Sequence, residues 1–281
     1  MSSTLVQELI DAGIHFGQRR SNWNPKMKRY IFGQRNKIDI IDIRQTVKGL
    51  LLADRFIQTV VSSGKDVCFV GTKRQARASI EKYAAEVAMP HVTNRWLGGT
   101  LTNFRTIRDR LKRLEELERL NESGEIESYS KKMGAQLERE RRKISRNLEG
   151  IRNMTQLPGA MVVIDVNREL NALREARSLG IPTICLIDTD GDPDMADIPV
   201  PGNDDSIRSI EVVMRFFCES INKGKAARQT SGDRGQDDAQ SGRRRSSRVS
   251  YRSDEAPAPD AGDMAGDAAV AASNAESGTG A

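Results

Sequence analysis

In 281 residues there are only three cysteines, two histidines and 5% aromatic side chains, and no apolar run approaches the roughly 18 residues a membrane span needs. Each shortage excludes a class. Cys68, Cys185 and Cys218 are odd in number, far apart and set among apolar neighbours. Neither a disulfide framework nor a zinc knuckle fits, so they are expected to be buried thiols of a reducing cytoplasm. His15 and His91 form no metal-ligand spacing. No G-x-G-x-x-G or Walker loop is present, so no cofactor and no resident metal is expected. Residues Met1 to Gln7 lack the basic start and apolar stretch of a secretory signal.

What is abundant is charge. Lys and Arg number 44 against 39 Asp and Glu, a formal net charge of +5. Residues 228–281 hold seven Arg and nine acids, which leaves 37 basic and 30 acidic side chains for the rest. The last 54 residues are also nearly free of aliphatic side chains, being rich in Ser, Gly, Ala, Pro and Asp. Such a segment buries too little apolar area to offset the entropy of ordering it, so 228–281 is expected to be a disordered tail.

Before the tail, apolar strands alternate with amphipathic helices. Val67–Val70, Ala160–Ile164 and Ile181–Ile187 are continuous apolar runs, each ending at Gly or Asp. Helical spacing covers Thr46–Ser62, Gln75–Ala88, Arg168–Leu179 and Asp204–Asn222, with a short helix around Leu5, Leu9 and Ile10. Lys37–Ile43 alternates as an extended piece. Buried strands separated by helices of about a dozen residues predict an α/β fold with a parallel sheet covered on both faces. One segment departs from this. Phe104, Ile107, Leu111, Leu114 and Leu117 form one stripe; Met133, Leu137, Ile144, Leu148 and Ile151 form a second beyond a polar turn. The pattern predicts an antiparallel coiled-coil hairpin. The expected organisation is a body of residues 1–103 and 152–227, a hairpin insertion at 104–151, and the tail.

Two places could carry catalysis. Gly71-Thr72-Lys73-Arg74 follows a strand and opens a helix, an arrangement that can hold a phosphate of a nucleotide or of a nucleic-acid backbone. The run Asp188, Asp190, Asp192, Asp194, Asp197 has Pro193 where a calcium loop needs glycine. Asp165 and Asp188 at strand ends, with Lys73, would suit a Mg²⁺-dependent phosphoryl-transfer enzyme. Turn-capping aspartates explain the same residues without chemistry.

Basic residues interleaved with aromatics are better represented. Residues His15 to Lys37 contain Arg19, Arg20, Lys26, Lys28, Arg29, Arg35 and Lys37 with no acid, alongside Phe16, Trp23, Tyr30 and Phe32. Glycine, asparagine and proline mark this stretch as loop. Lys73, Arg74 and Arg77 form a second group, and Arg95, Trp96 and Arg105 a third. Loops of this kind neutralise phosphates and stack on unpaired bases, which predicts nucleic-acid binding.

These stretches resemble a known family. G-I-H-F-G at Gly13–Gly17, W-N-P-K-M-K at Trp23–Lys28 and Y-I-F-G-Q-R-N-K at Tyr30–Lys37 are similar to the amino-terminal signature of the bacterial small-subunit ribosomal protein S2 family. F-V-G-T-K-R at Phe69–Arg74, R-W-L-G-G-T-L-T-N-F at Arg95–Phe104, L-P-G-A-M-V-V-I-D at Leu157–Asp165 and E-A-R-S-L-G-I-P at Glu175–Pro182 continue the resemblance in order, as do D-T-D-G-D-P-D at Asp188–Asp194 and P-V-P-G-N-D-D at Pro199–Asp205. It covers residues 4–225. Gln18 departs from it, standing where the family commonly has a second histidine, which is expected to remove a donor.

The resemblance implies a flavodoxin-like, three-layer fold with a five-stranded parallel sheet and a projecting coiled-coil hairpin. It also implies a non-enzymatic, cytoplasmic ribosomal role: binding small-subunit rRNA at the head–body junction, beside neighbouring small-subunit proteins, and helping to recruit ribosomal protein S1. On that reading the G-T-K-R loop serves rRNA, there is no membrane or small-molecule partner, and the acidic loop is not catalytic. The phosphoryl-transfer enzyme remains the alternative, and a scaffold acting through the hairpin alone is a third.

Overall fold

The computed structural model describes the backbone of residues 2–246. The chain divides after Arg234 into two units, and the sheets and both cores belong to the first. In chain order the elements are α1 (Ser2–Asp11), β1 (Phe16–Arg19), β2 (Ile31–Arg35), β3 (Ile38–Ile41), α2 (Ile43–Ser62), β4 (Val67–Val70), α3 (Arg74–Glu86), β5 (His91–Val92), α4 (Phe104–Glu122), α5 (Lys131–Leu148), β6 (Ala160–Ile164), α6 (Leu170–Ser178), β7 (Thr183–Ile187), β8 (Ile198–Pro201) and α7 (Ile207–Ser246).

The main sheet is wholly parallel, with strand order β5-β4-β6-β7-β8. Renumbered within the sheet this is 2-1-3-4-5, the flavodoxin-like order, with the topological switch between β4 and β6. Every residue of β4, β6 and β7 is buried, because side chains alternate between two cores. Phe69, Val162, Ile184 and Leu186 face one, built with Leu50 and Ile57 of α2, Ile80 of α3 and Phe217 of α7. Cys68, Val163, Cys185 and Ile187 face the other, with Leu173 and Ala176 of α6, Met27, Trp96 and Ile107. All three cysteines are buried and unpaired. Full burial of side chains the size of Phe69 or Ile184 stabilises by about 1.5–3 kcal/mol each.

The basic stretch read as loop proves to be ordered differently. β1 and β2 flank β3 in an antiparallel sheet, with two 3-10 turns, Arg20–Asn22 and Pro25–Tyr30, between β1 and β2. Strands of four and five residues punctuated by Gly17 and Gly33 carry too little periodicity to register. Pairing with β3 makes them strands. β5 and β8 also escaped the sequence pattern, the first for its two residues and the second for its two prolines, which suit only an edge strand.

α4 and α5 form the hairpin. Ile107, Leu111, Leu114 and Leu117 of α4 are buried, whereas on α5 only Leu148 is, and Met133 stays 46% exposed. Arg113 of α4 reaches Glu140 of α5 at 3.8 Å, and Arg152, just beyond α5, pairs with Glu118 near the end of α4.

Helical backbone continues in α7 to Ser246, past Asn222 where the apolar spacing stops, so residues 228–246 of the expected tail are helical. Lys225, Ala226, Ala227, Arg228 and Gln229 are strong helix formers that carry the backbone hydrogen bonding onward beyond the apolar stripe. The expectation for residues 247–281 lies outside the described residues.

α2 lies so close to the edge strand that a Cβ on Gly49 would meet the Pro199 carbonyl oxygen at 2.7 Å. Gly49→Ala gains helix propensity yet should lower stability by about 1–3 kcal/mol through overpacking against backbone. Urea denaturation of the two proteins checks the sign.

Candidate nucleic-acid interface

The carboxyl ends of β4, β6, β7 and β8 converge on one side chain. Lys73, at the start of α3, is 9% exposed, and its Nζ lies 2.6 Å from Asp204 and from Asp205 and 3.4 Å from Asp165. Burial alone would lower the Lys73 pKa; the carboxylates outweigh it and raise it. Asp188 closes the group, its carboxylate oxygens lying within 4.8 Å of those of Asp204 and Asp205. Asp165, which follows β6, holds φ +70°, strained for a residue with a Cβ, and accepts a bond from the Arg168 N–H at 3.2 Å.

More carboxylates meet here than one ammonium can neutralise. Burial and the charge of its acidic neighbours push Asp188 up to about 7, and burial with Asp165 and Asp188 pushes Asp204 up to about 8. At neutral pH the cluster therefore retains protons. Gln18 adds a donor: its side-chain amide bonds to Asp205 and lies 3.4 Å from Asp188, while its backbone N–H donates to the Thr189 hydroxyl at 2.9 Å. The donor expected to be missing at position 18 is thus supplied by the glutamine. These bonds tie β1 to the ends of the parallel strands.

Two further carboxylates hold the basic loops. Glu169, 2% exposed, accepts the Thr72 N–H at 2.8 Å and so pins the G-T-K-R loop; burial raises its pKa. Glu175 of α6 takes the Trp96 indole N–H at 3.1 Å and the backbone N–H groups of Gly99, Leu101 and Thr102 at 2.8–3.2 Å. Burial works against its charge, but these donors prevail and its pKa falls. Neither glutamate stood out in the sequence. The available signal was an acid at the i+3 position from Ala172 on the buried stripe of α6.

The predicted residues now separate by environment. Trp96 is buried in the core that holds Cys68 and Cys185, against Glu175, so it packs its loop and offers no ring to a base. Lys73 is likewise committed to carboxylates. Lys26 pairs with Asp192 at 2.7 Å and Asp194 at 2.8 Å. Arg20 pairs with buried Asp39 at 3.4 Å and lies 3.5 Å over the half-buried Trp23 ring. Arg77 bonds to Thr72 O and Asn94. By contrast Arg19, Lys28, Arg29, Arg35 and Lys37, with Arg74, Arg95 and Arg105, are exposed and have no ion-pair partner among the described residues. These open cations sit on the small antiparallel sheet and its turns, at the first residue of α3, on the loop that Glu175 holds and at the start of α4.

Comparison with known proteins places these features in a family. The profile described as "Ribosomal protein S2" matches residues 9–224. A "Small ribosomal subunit protein uS2" of Rhodopirellula baltica is 54% identical over 230 residues, 82% of this chain and 88% of that protein. Those of Mycobacterium ulcerans and Salinispora arenicola are each 47% identical, covering 83% and 81% of this chain and 84% and 82% of theirs.

Two measurements probe the ion cluster. Because the folded-state pKa of Asp188 lies above its unfolded value, the native state binds the extra proton, and stability falls as pH rises from about 4 to 7. Asp188→Asn abolishes that fall, so in urea melts its advantage over wild type should widen by about 1–2 kcal/mol between pH 5 and pH 8. Lys73→Met leaves buried carboxylates unpaired and should cost about 3–5 kcal/mol at pH 7, less at pH 5.

Proposed function

The chain belongs to the ribosomal protein S2 family, and from that premise we propose that its exposed, unpaired arginines and lysines neutralise phosphates of small-subunit rRNA. Membership makes it a structural component of the small ribosomal subunit in translation, and not an enzyme. The observation that carries the RNA reading is the contrast in partnering. Asp and Glu are plentiful in this chain, yet Arg19, Lys28, Arg29, Arg35, Arg74 and Arg95 reach solvent without one among the described residues. Holding such charges apart from acids disfavours the isolated protein through self-repulsion and favours a polyanion.

The RNA-facing set is therefore Arg19, Lys28, Arg29, Arg35, Lys37, Arg74, Arg95 and Arg105. Arg20, Trp23, Lys26 and Arg77 shape the loops that present them, and Lys73 and Trp96 fix the loop bases. The rigid α/β body and the α4–α5 hairpin set the geometry against the head–body junction. Neighbouring small-subunit proteins, ribosomal protein S1 among them, are the proposed protein partners, a reading that rests on the family resemblance alone. The phosphoryl-transfer reading loses its support, since Lys73 is held by three aspartates and the family is structural.

Replacing Lys28, Arg29, Arg74 and Arg95 together by Gln should weaken binding to small-subunit rRNA and reduce the slope of log K against log salt by ~0.7–0.9 for each phosphate no longer neutralised. A salt titration by filter binding reads this directly. An unchanged slope would place these residues off the RNA.

A further inference from the structure

The small antiparallel sheet has two sides, and only one is used by the body. Asp39 and Ile41 of β3 point inward, at 0% and 2% exposure. Residues paired across an antiparallel sheet project to the same side. Phe16 of β1 is paired with Ile40 of β3, and Gly33 of β2 is paired with that same Ile40. Arg19 of β1 and Arg35 of β2 are likewise both paired with Ile38. Residues three apart in a strand ordinarily face opposite ways. The register shift between Phe16 and Arg19 returns both to the outer side, as a bulge does.

The outer side therefore presents two adjacent rows, Phe16–Ile40–Gly33 and Arg19–Ile38–Arg35. Phe16 is 46% exposed and Ile38 36%, while a Cβ on Gly33 would meet nothing within 4 Å. The His15 ring lies 4.1 Å from the Phe16 ring, tilted by 38°. Three strands make the surface about 10 Å wide, the scale of one nucleobase. We propose that this face is a docking platform for an unpaired RNA nucleobase, which stacks on Phe16 and lies across Ile40 and the open backbone at Gly33, while Arg19 and Arg35 take the flanking phosphates. The proposal rests on the rRNA reading above and adds single-stranded base recognition to it.

Charge decides the occupant. An apolar protein helix would cover Phe16 and Ile38 but strand two guanidiniums that have no ion-pair partner among the described residues. A nucleotide satisfies both kinds of group, since every base has an apolar face and every linkage a phosphate. Asn36 and Lys37, at φ +51° and +64°, form the tight β2–β3 turn that carries a further exposed cation to the end of the arginine row.

The test uses the full chain, a twelve-residue oligoadenylate and a duplex RNA of the same length. Phe16→Leu removes the ring and keeps apolar area; Gly33→Val fills open space with a residue that suits a strand. Each should weaken oligoadenylate binding by about fivefold or more with the salt slope unchanged, and leave duplex binding alone. Arg19→Gln with Arg35→Gln should instead lower the slope by ~0.7 per phosphate. Unchanged oligoadenylate affinity in both Phe16→Leu and Gly33→Val overturns the platform, as does wild-type binding to duplex as tight as to single strand. Platform variants that spare RNA affinity but impair incorporation into subunits would assign the face to a protein and overturn it too. In all three cases an rRNA salt slope that still responds to Lys28, Arg29, Arg74 and Arg95 keeps the broader function standing.

Discussion

One ammonium group organises this protein. Lys73 leaves the end of β4, reaches over the switch point of the sheet and bonds to carboxylates from the ends of β6 and β8. In a doubly wound fold that crevice is where a ligand usually sits. Here the chain fills it with its own charges. Desolvating so many ionic groups is costly, and the arrangement persists because each carboxylate gains either the lysine, the Gln18 amide or a retained proton. The outcome is a sheet end whose charges are bonded to one another and, through Gln18, to β1.

What surrounds it is a set of loops with their own anchors. Glu169 fixes the turn that carries Lys73 and Arg74; Glu175 fixes the turn that carries Arg95 and Trp96. Gln18 extends the same network to the strand that carries Arg19. The buried acids around this site bond to backbone N–H groups and to Lys73, and Arg19, Lys28, Arg29, Arg35, Arg74 and Arg95 are displayed outside without an ion pair among the described residues. A net charge of only +5 conceals this segregation.

How much of this could be read in advance follows from physical range. β4, β6 and β7 are buried on both faces, so their continuous apolar runs are visible in the sequence, and the helices between them follow. Within the antiparallel sheet β3 alternates, but β1 and β2 depend on pairing with it and their own spacing carries no alternation, with Gly17 packed against Thr189, 172 positions away. No local pattern encodes that. Position in a basic stretch likewise could not tell Lys28, which is free, from Lys26, which meets Asp192 across the fold. Tryptophan suggested a stacking ring at Trp96, but its indole N–H had a buried carboxylate waiting. Phe16 and Phe32 are the exposed rings of the basic stretch instead. Phe32, at 74%, is the most exposed large apolar side chain among the described residues.

The α4–α5 hairpin is bonded to the chain beside it at three places: the Asn94 amide donates to Arg146 O of α5, Arg108 near the start of α4 donates to Met154 O, and Arg152 pairs with Glu118 near the end of α4. α4 is 19 residues long, or about 28 Å. Arg108 and Glu118 stand about 15 Å apart on it, so the segment that follows α5 braces the first helix over half its length. A force applied at the turn between the helices is therefore carried as along a braced strut, and is not concentrated at one hinge.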